Sequence, residues 1–417
     1  MNRIYKFQVI FLVLICIFSI NLFAIENSEN SDVVSVERFA LYVAANNGGK
    51  EREVLRYAES DAEKLKIAMQ EIGGVSSENS IILKEPNQAE VESALQEFAK
   101  KVSSAKKTAR RTEFIFYYSG HSDENALLLG EESFGYSQLK SSINSVPSDI
   151  HVVMLDSCFS GNFIRAKGGT RQKSFLVDDS SVVSGHAYLS SSSESEASQE
   201  SDLIQSSFFT HALITGLRGA ADSSGDNKVS LNELYHYAFN ETLSQTEQST
   251  IGTQHPSYDI TLVGSGDLVL SDISTAESIL VLDSDLHGKI YIRNEASGVL
   301  VSEIKKSAGN SIPLALPSGT YKVTMIQENQ TLESSAKLKV GRSVSLQTKK
   351  FKKVSTTDTR TRGGKFIPNS KPSQEEKKDI YKDLPDTESA DKFFDLNEDT
   401  SDVRSNAMDA IKKLQKK

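Results

Sequence analysis

Tryptophan is absent from the 417-residue chain, and cysteine occurs only twice. The first absence means that any substrate pocket must be built from other groups. The second is more restrictive, because Cys16 lies in an N-terminal apolar stretch with the order of an export signal. Removal of that stretch leaves Cys158 alone. An intramolecular disulfide is then excluded, and the remaining thiol is either a small buried hydrophobe or a reactive group. Long basic runs are also lacking. With 56 acidic against 47 basic residues and a formal charge of -9, the excess is acidic and spread along the chain, so no nucleic-acid partner is expected.

At the N-terminus, Arg3 and Lys6 precede an apolar run over 7–23 that is broken by Gln8, Ser19 and Asn21. Charge followed by a hydrophobic run is the pattern of a secretory signal, with cleavage expected after Ala24. Residues 1–24 then form the signal and 25–37 a linker, and the mature protein is periplasmic or secreted. Leu22 occupies the position three before that cut, where a small residue is preferred. The run also lies near the ~17-residue lower limit for a span, so a retained membrane anchor is the alternative. Either way the folded part lies outside the cytoplasm.

Beyond the linker, strand and helix patterns alternate. Residues 39–45, 81–83, 114–118, 150–155 and 182–189 read as strands. Residues 58–72 and 90–102 carry helical apolar spacing, with shorter helices near 136–143 and 207–217 and a hairpin around 127–129. Such alternation favours an α/β unit over 38–270, a largely parallel sheet flanked by helices. Seven short, turn-separated strand candidates between 279 and 347 read as a second, small β-sandwich domain over 275–350. From 355 to 417 regular apolar spacing is lost, and charge, threonine, proline and glycine dominate, which reads as a flexible tail. The sandwich shows no compact set of reactive side chains, and short amphipathic pieces of the tail at 390–396 and 407–414 are candidates to dock. Sandwich and tail are candidates to bind another protein or an envelope component.

Cys158 follows the strand at 150–155 within Leu155-Asp156-Ser157-Cys158-Phe159-Ser160-Gly161, and His121 follows the strand at 114–118 within Tyr118-Ser119-Gly120-His121. If those strands are adjacent and parallel, both loops leave one edge of the sheet about 4.8 Å apart. A thiol is mostly protonated at neutral pH, and a nearby imidazole can accept its proton. The thiolate can then attack a peptide carbonyl while protonated His121 donates to the leaving amine. Backbone donors around Gly120 and Cys158 are candidates to hold the developing oxyanion.

These two segments together resemble the histidine and cysteine motifs of the caspase-like peptidases, in particular their bacterial and metacaspase branch. The resemblance runs from about 39 to 267 and includes 38–47 as first strand and turn, Ala58 and Asp61-Ala62 in the first helix, and Phe208-Phe209-Thr210 in a later helix. It implies Cys158 as nucleophile, His121 as its acid/base partner and polypeptides as substrates, with no cofactor required for the chemistry. Phe159 departs from the family pattern, which carries a histidine-like residue after the nucleophile. The resemblance also places Asp156 in the pocket for the residue before the cut, where a carboxylate selects arginine or lysine. The alternative for Asp156 is a cap that ties down its own loop. No second acidic pocket residue stands out, although Glu194 and Glu196 in the serine-rich stretch 190–201 are placed to supply one.

Two loops add expectations. Arg165, Lys167, Arg171 and Lys173 follow the nucleophile, either as a site of self-cleavage or as ordinary solvent-facing charge. The run from Asp222 to Glu233 has EF-hand-like spacing. Asp222, Ser224, Asp226, the carbonyl of Lys228, Ser230 and Glu233 stand at the ligand positions for Ca2+. Asn227 replaces the usual glycine, so a metal-free structural loop is the alternative. The leading expectation is an exported cysteine endopeptidase using a Cys-His dyad, probed against a catalytically silent caspase-fold binding or scaffold module.

Overall fold

The computed structural model describes residues 36–165, 184–193, 196–247, 249, 251–264, 267–328 and 330–354. Residues 1–35 with the expected export signal, Glu194, Lys167, Arg171, Lys173, the side chain of Arg165 and the tail from 355 lie outside that description. In chain order the first part comprises β1 (Val36–Ala45), α1 (Ala58–Glu71), β2 (Val75–Lys84), α2 (Gln88–Ala105), β3 (Arg111–Gly120), β4 (Ala126–Leu129), β5 (Glu132–Gly135), α3 (Tyr136–Asn144) and β6 (Ile150–Asp156). It continues through α4 (Gly161–Arg165), β7 (Ser184–Ser190), β8 (Glu200–Ser201), β9 (Ser206–Ser207), α5 (Phe208–Thr215), β10 (Lys228–Ser230), α6 (Leu231–Thr246), β11 (Ser257–Val263) and β12 (Val269–Asp272).

Six of these strands form one sheet in the order β11-β7-β6-β3-β1-β2. All neighbours are parallel except β11, which runs antiparallel to β7. The central strands read as unbroken apolar runs because both faces are covered. From β1, Ala40, Tyr42 and Ala44 join the core under α1, α5 and α6, whereas Phe39, Leu41 and Val43 face the opposite core under α2 and α3. Strand β3 divides likewise, with Ile115 and Tyr117 on one side and Phe114, Phe116 and Tyr118 on the other. The fold is therefore a three-layer α/β arrangement with a largely parallel sheet.

Sequence periodicity marks only 81–83 of β2, but the strand begins at Val75. It is an edge strand whose residues 76–78 are exposed, so no buried alternation reveals its first half. Strand β11 at the other edge lacks a legible alternation for the same reason. Its burial alternates only weakly, with Tyr258 and Val263 exposed.

Strands β13 (Ser278–Leu282), β14 (Gly288–Asn294), β15 (Leu300–Lys306), β16 (Ile312–Leu316), β17 (Gly319–Gln327), β18 (Gln330–Leu338), β19 (Arg342–Leu346) and β20 (Lys352–Val354) form two further sheets. Their orders are β16-β13-β19 and β15-β14-β17-β18-β20, and they enclose a core that includes Leu280, Ile290, Leu314 and Val323. Arg218, just after α5, fastens this sandwich to the α/β layers. Its Nη1 donates to the Ala315 carbonyl at 2.9 Å and pairs with Glu71 at 2.8 Å. Among the described residues no helix is long and apolar enough to cross a membrane.

Candidate active site

Strands β3 and β6 are adjacent and parallel, with Ser119 opposite Asp156. His121 and Cys158 therefore each stand two residues beyond a matched pair, at the same level of one sheet edge. The two loops touch. The Oγ of Ser122, next to the histidine, donates to the carbonyl of Cys158.

His121 is oriented by backbone. Its Nε2 lies 2.7 Å from the carbonyl oxygen of Glu53, which can only accept, so in the neutral ring Nε2 carries the proton and Nδ1 is the free base. Burial pushes its pKa down, and the charge of Arg52 adds to the shift against the opposing Glu53 carbonyl. Gly48 packs against the ring: a Cβ there would sit 2.5 Å from imidazole carbons. Gly120, placed from sequence as an oxyanion candidate, ends β3 opposite Ala45. Its missing side chain makes room for the Oη of Tyr118, which lies 2.6 Å from the His121 carbonyl.

Cys158 is partly buried. Burial pushes its thiol pKa up, and nearby Asp156 adds to that rise, whereas the N–H of Ser198, the charge of Arg52 and the cysteine's own N–H favour the thiolate. Neutral thiol beside neutral imidazole is the resting state these shifts favour. Phe159 has φ of 54°, a left-handed conformation that is costly for a side chain of this size. Its N–H donates to the Glu196 carbonyl at 3.1 Å, which ties the turn after Cys158 to that segment.

Asp156 is 3% exposed and does not cap its own turn. It accepts from the Oγ of Ser198 at 2.7 Å, from Oγ1 of Thr210 at 2.5 Å and from the Oγ of Ser207. Asp61, on α1, is a second buried acid beside it. It is 1% exposed and accepts from the Oγ of Ser206 at 2.6 Å and the N–H of Ser207 at 2.8 Å. Ser207 thus joins the two carboxylates, one through its amide and the other through its hydroxyl. Burial pushes the Asp61 carboxyl up to about 7 against the pull of Lys64, with Asp156 adding to the rise. The signal was present in α1: Asp61 falls within the stripe Ala58, Ala62, Leu65 and Met69 that faces the core.

Glu200 is the third acid, pushed up by burial and by Asp156. It accepts from the N–H groups of Arg56 and Tyr57 at 3.1 and 3.3 Å and so ties the loop carrying Glu53 to this segment. The carboxylate of Glu196 is engaged elsewhere, with Nδ1 of His255 at 2.7 Å.

The Asp222–Glu233 loop lies apart in sequence and closes on itself. Glu233 accepts from the N–H groups of Ser224 and Ser230 at 2.9 and 3.0 Å, Asp222 from those of Gly225 and Asn227, and Asp226 from that of Lys228. Asn227 takes the left-handed conformation, φ 64°, usually given to glycine. Its carboxylates thus already hold backbone donors, and among the described residues no group of three or more acidic, histidine or cysteine side chains is gathered for a metal. An entering calcium ion would have to share or displace those donors.

The chain matches the family model described as the caspase domain over residues 37–264. Among solved structures it is similar to caspase-1 from Spodoptera frugiperda, with 11% identity, a TM-score of 0.40, and coverage of 55% of this chain and 90% of that one. No curated protein sequence matches it.

Proposed function

The chain belongs to the caspase-domain family of cysteine peptidases, and from that premise we propose that it is an endopeptidase that cuts after arginine or lysine through Cys158 and His121. Polypeptides are the substrates that membership implies. The observation that carries the specificity is the pair of buried carboxylates, Asp156 and Asp61, bridged by Ser207, with Asp156 two residues before Cys158 along the chain. The groups that hold Asp156 are neutral hydroxyls, and a buried acid so held favours an incoming guanidinium or ammonium, which supplies the missing charge. Lys64 answers Asp61 only at 3.4 Å and from a partly exposed position.

In this mechanism Nδ1 of His121 takes the thiol proton as sulfur adds to the scissile carbonyl. The Glu53 carbonyl then stabilises the imidazolium, which returns the proton to the leaving amine. Water hydrolyses the resulting thioester with the same base. The test is a peptide library read by mass spectrometry. Cuts confined to bonds after arginine and lysine are expected, and rapid cleavage after aspartate with none after basic residues would overturn the reading. We further propose export through the 1–24 signal, on the residue pattern given above, with Ca2+ at most an accessory of the 222–233 loop.

Two pH dependences separate the roles. At saturating basic substrate Asp61 is paired and ionised, so the acid limb of kcat reports His121 and is expected below the ordinary histidine value, since burial lowers its pKa. In kcat/KM a further limb near 7 is expected, because free Asp61 titrates at about 7 and the cation binds its ionised form. Activity at low substrate therefore rises through neutrality. Asp61→Asn should remove that limb and leave the kcat profile in place, which steady-state kinetics from about pH 5 to 8.5 would check.

A further inference from the structure

We infer that Ser191 and Ser192 polarise the Ser157–Cys158 peptide so that its N–H can bind the oxyanion formed during attack. The inference rests on the peptidase reading above. Ser157, Ser160, Ser190, Ser191 and Ser192 are each 1% exposed or less, in two turns that parallel pairing of β6 and β7 brings side by side. The amide of Ser191 donates to the Leu155 carbonyl at 2.8 Å, which sets the second turn against the first.

Three hydroxyls converge on one oxygen. The Ser157 carbonyl lies 2.7 Å from the Oγ of Ser160, 3.0 Å from that of Ser192 and 3.2 Å from that of Ser191. Each hydroxyl has one proton to donate. Ser160 can donate to Ser157 or to Ser190 Oγ, 2.6 Å away, and Ser190 can donate to Ser160 or to the Ser192 carbonyl at 2.7 Å. Whichever way that pair is arranged, Ser191 and Ser192 still donate to the Ser157 oxygen. Ser191 also accepts from the Ser157 N–H at 3.1 Å.

A single donor would satisfy this buried carbonyl. Two or three draw electron density toward oxygen, strengthen the partial double bond to nitrogen and leave the amide hydrogen more positive. The peptide bonds of the described residues are trans, so the N–H of Cys158 points away from the serine cluster. That N–H also favours the thiolate of its own residue. As the carbon–sulfur bond forms, the π electrons of the scissile carbonyl move to its oxygen, and the polarised N–H is the donor adjacent to that charge. Ser191 and Ser192 are thus positioning residues that act through a peptide.

The test uses the full chain with Ser191→Ala, Ser192→Ala and, as control, Ser190→Ala, which is equally buried but makes no bond to the Ser157 oxygen. Kinetics on a basic peptide amide, affinity for a peptide aldehyde that forms a tetrahedral oxyanion, and alkylation of Cys158 by iodoacetamide, which forms none, are compared. Ser191→Ala and Ser192→Ala should each lower kcat about tenfold with KM within about twofold. Aldehyde affinity should fall in parallel, with alkylation changed by less than about twofold and Ser190→Ala close to wild type. Equal loss in Ser190→Ala, alkylation falling in step with turnover, or unchanged aldehyde affinity would overturn the inference. A wild-type protein that neither turns over peptides nor binds the aldehyde would instead sink the peptidase reading, and the inference with it.

Discussion

Asp156→Asn is expected to abolish cleavage after arginine while leaving the thiol reactive. The substitution keeps shape and volume but replaces an anion by a neutral amide among Ser198, Ser207 and Thr210, which now donate to it. Those hydroxyls can rotate, so the fold has a way to absorb the change. The substrate cation cannot adapt. Leaving one partner of a buried ion pair uncompensated costs about 3–5 kcal/mol, or roughly two to nearly four powers of ten in kcat/KM. Asp61→Asn should cost less near pH 6, where that carboxyl, pushed up to about 7, is mostly protonated, and more at pH 8. Alkylation of Cys158 by iodoacetamide reads the thiol separately from the pocket. Loss of alkylation together with turnover in Asp156→Asn would mean that Asp156 supports the nucleophile's turn instead of selecting a substrate.

Cys158→Ala is expected to remove turnover altogether, a loss of at least about 10^4-fold, since the thiolate that would carry the acyl intermediate is gone. His121→Ala should come close to it. An unperturbed thiol is only about 3% ionised at pH 7, and burial raises that of Cys158 further, so without its base the nucleophile is almost wholly protonated. The two losses should not add, because each removes the same proton-transfer unit. Raising the pH should partly rescue His121→Ala and never Cys158→Ala. The same variants bear on the basic loop at Arg165, Lys167, Arg171 and Lys173. If the enzyme cuts itself there, wild type will show two fragments by intact-mass spectrometry where Cys158→Ala shows one chain.

Much of the scaffold is legible without a structure because it is local. Apolar runs at 39–45, 114–118 and 150–155 have the length and composition of strands buried on both faces, and each ends in a turn that its own residues announce. His121 and Cys158 could be read as a pair from that alone, since each follows such a run. The edge strands β2 and β11 were harder, because half their side chains face solvent and periodicity fades there.

The pocket and the machinery behind the dyad belong to a different class. Helical spacing in 58–72 says that Asp61 faces inward, but not that Ser207 and Asp156, 146 and 95 positions along the chain from it, wait on the other side. Glu53 acts through a carbonyl that every residue possesses, so no side-chain pattern could single it out. Serines 190–192 look like part of a bland polar loop until parallel pairing sets them against the Ser157–Cys158 peptide. Chain-local physics therefore suffices for where strands end and which reactive groups stand there. Which distant carboxylate, carbonyl or hydroxyl meets those groups is decided by packing, because burial makes an unpaired polar atom costly and only the assembled fold determines its partner.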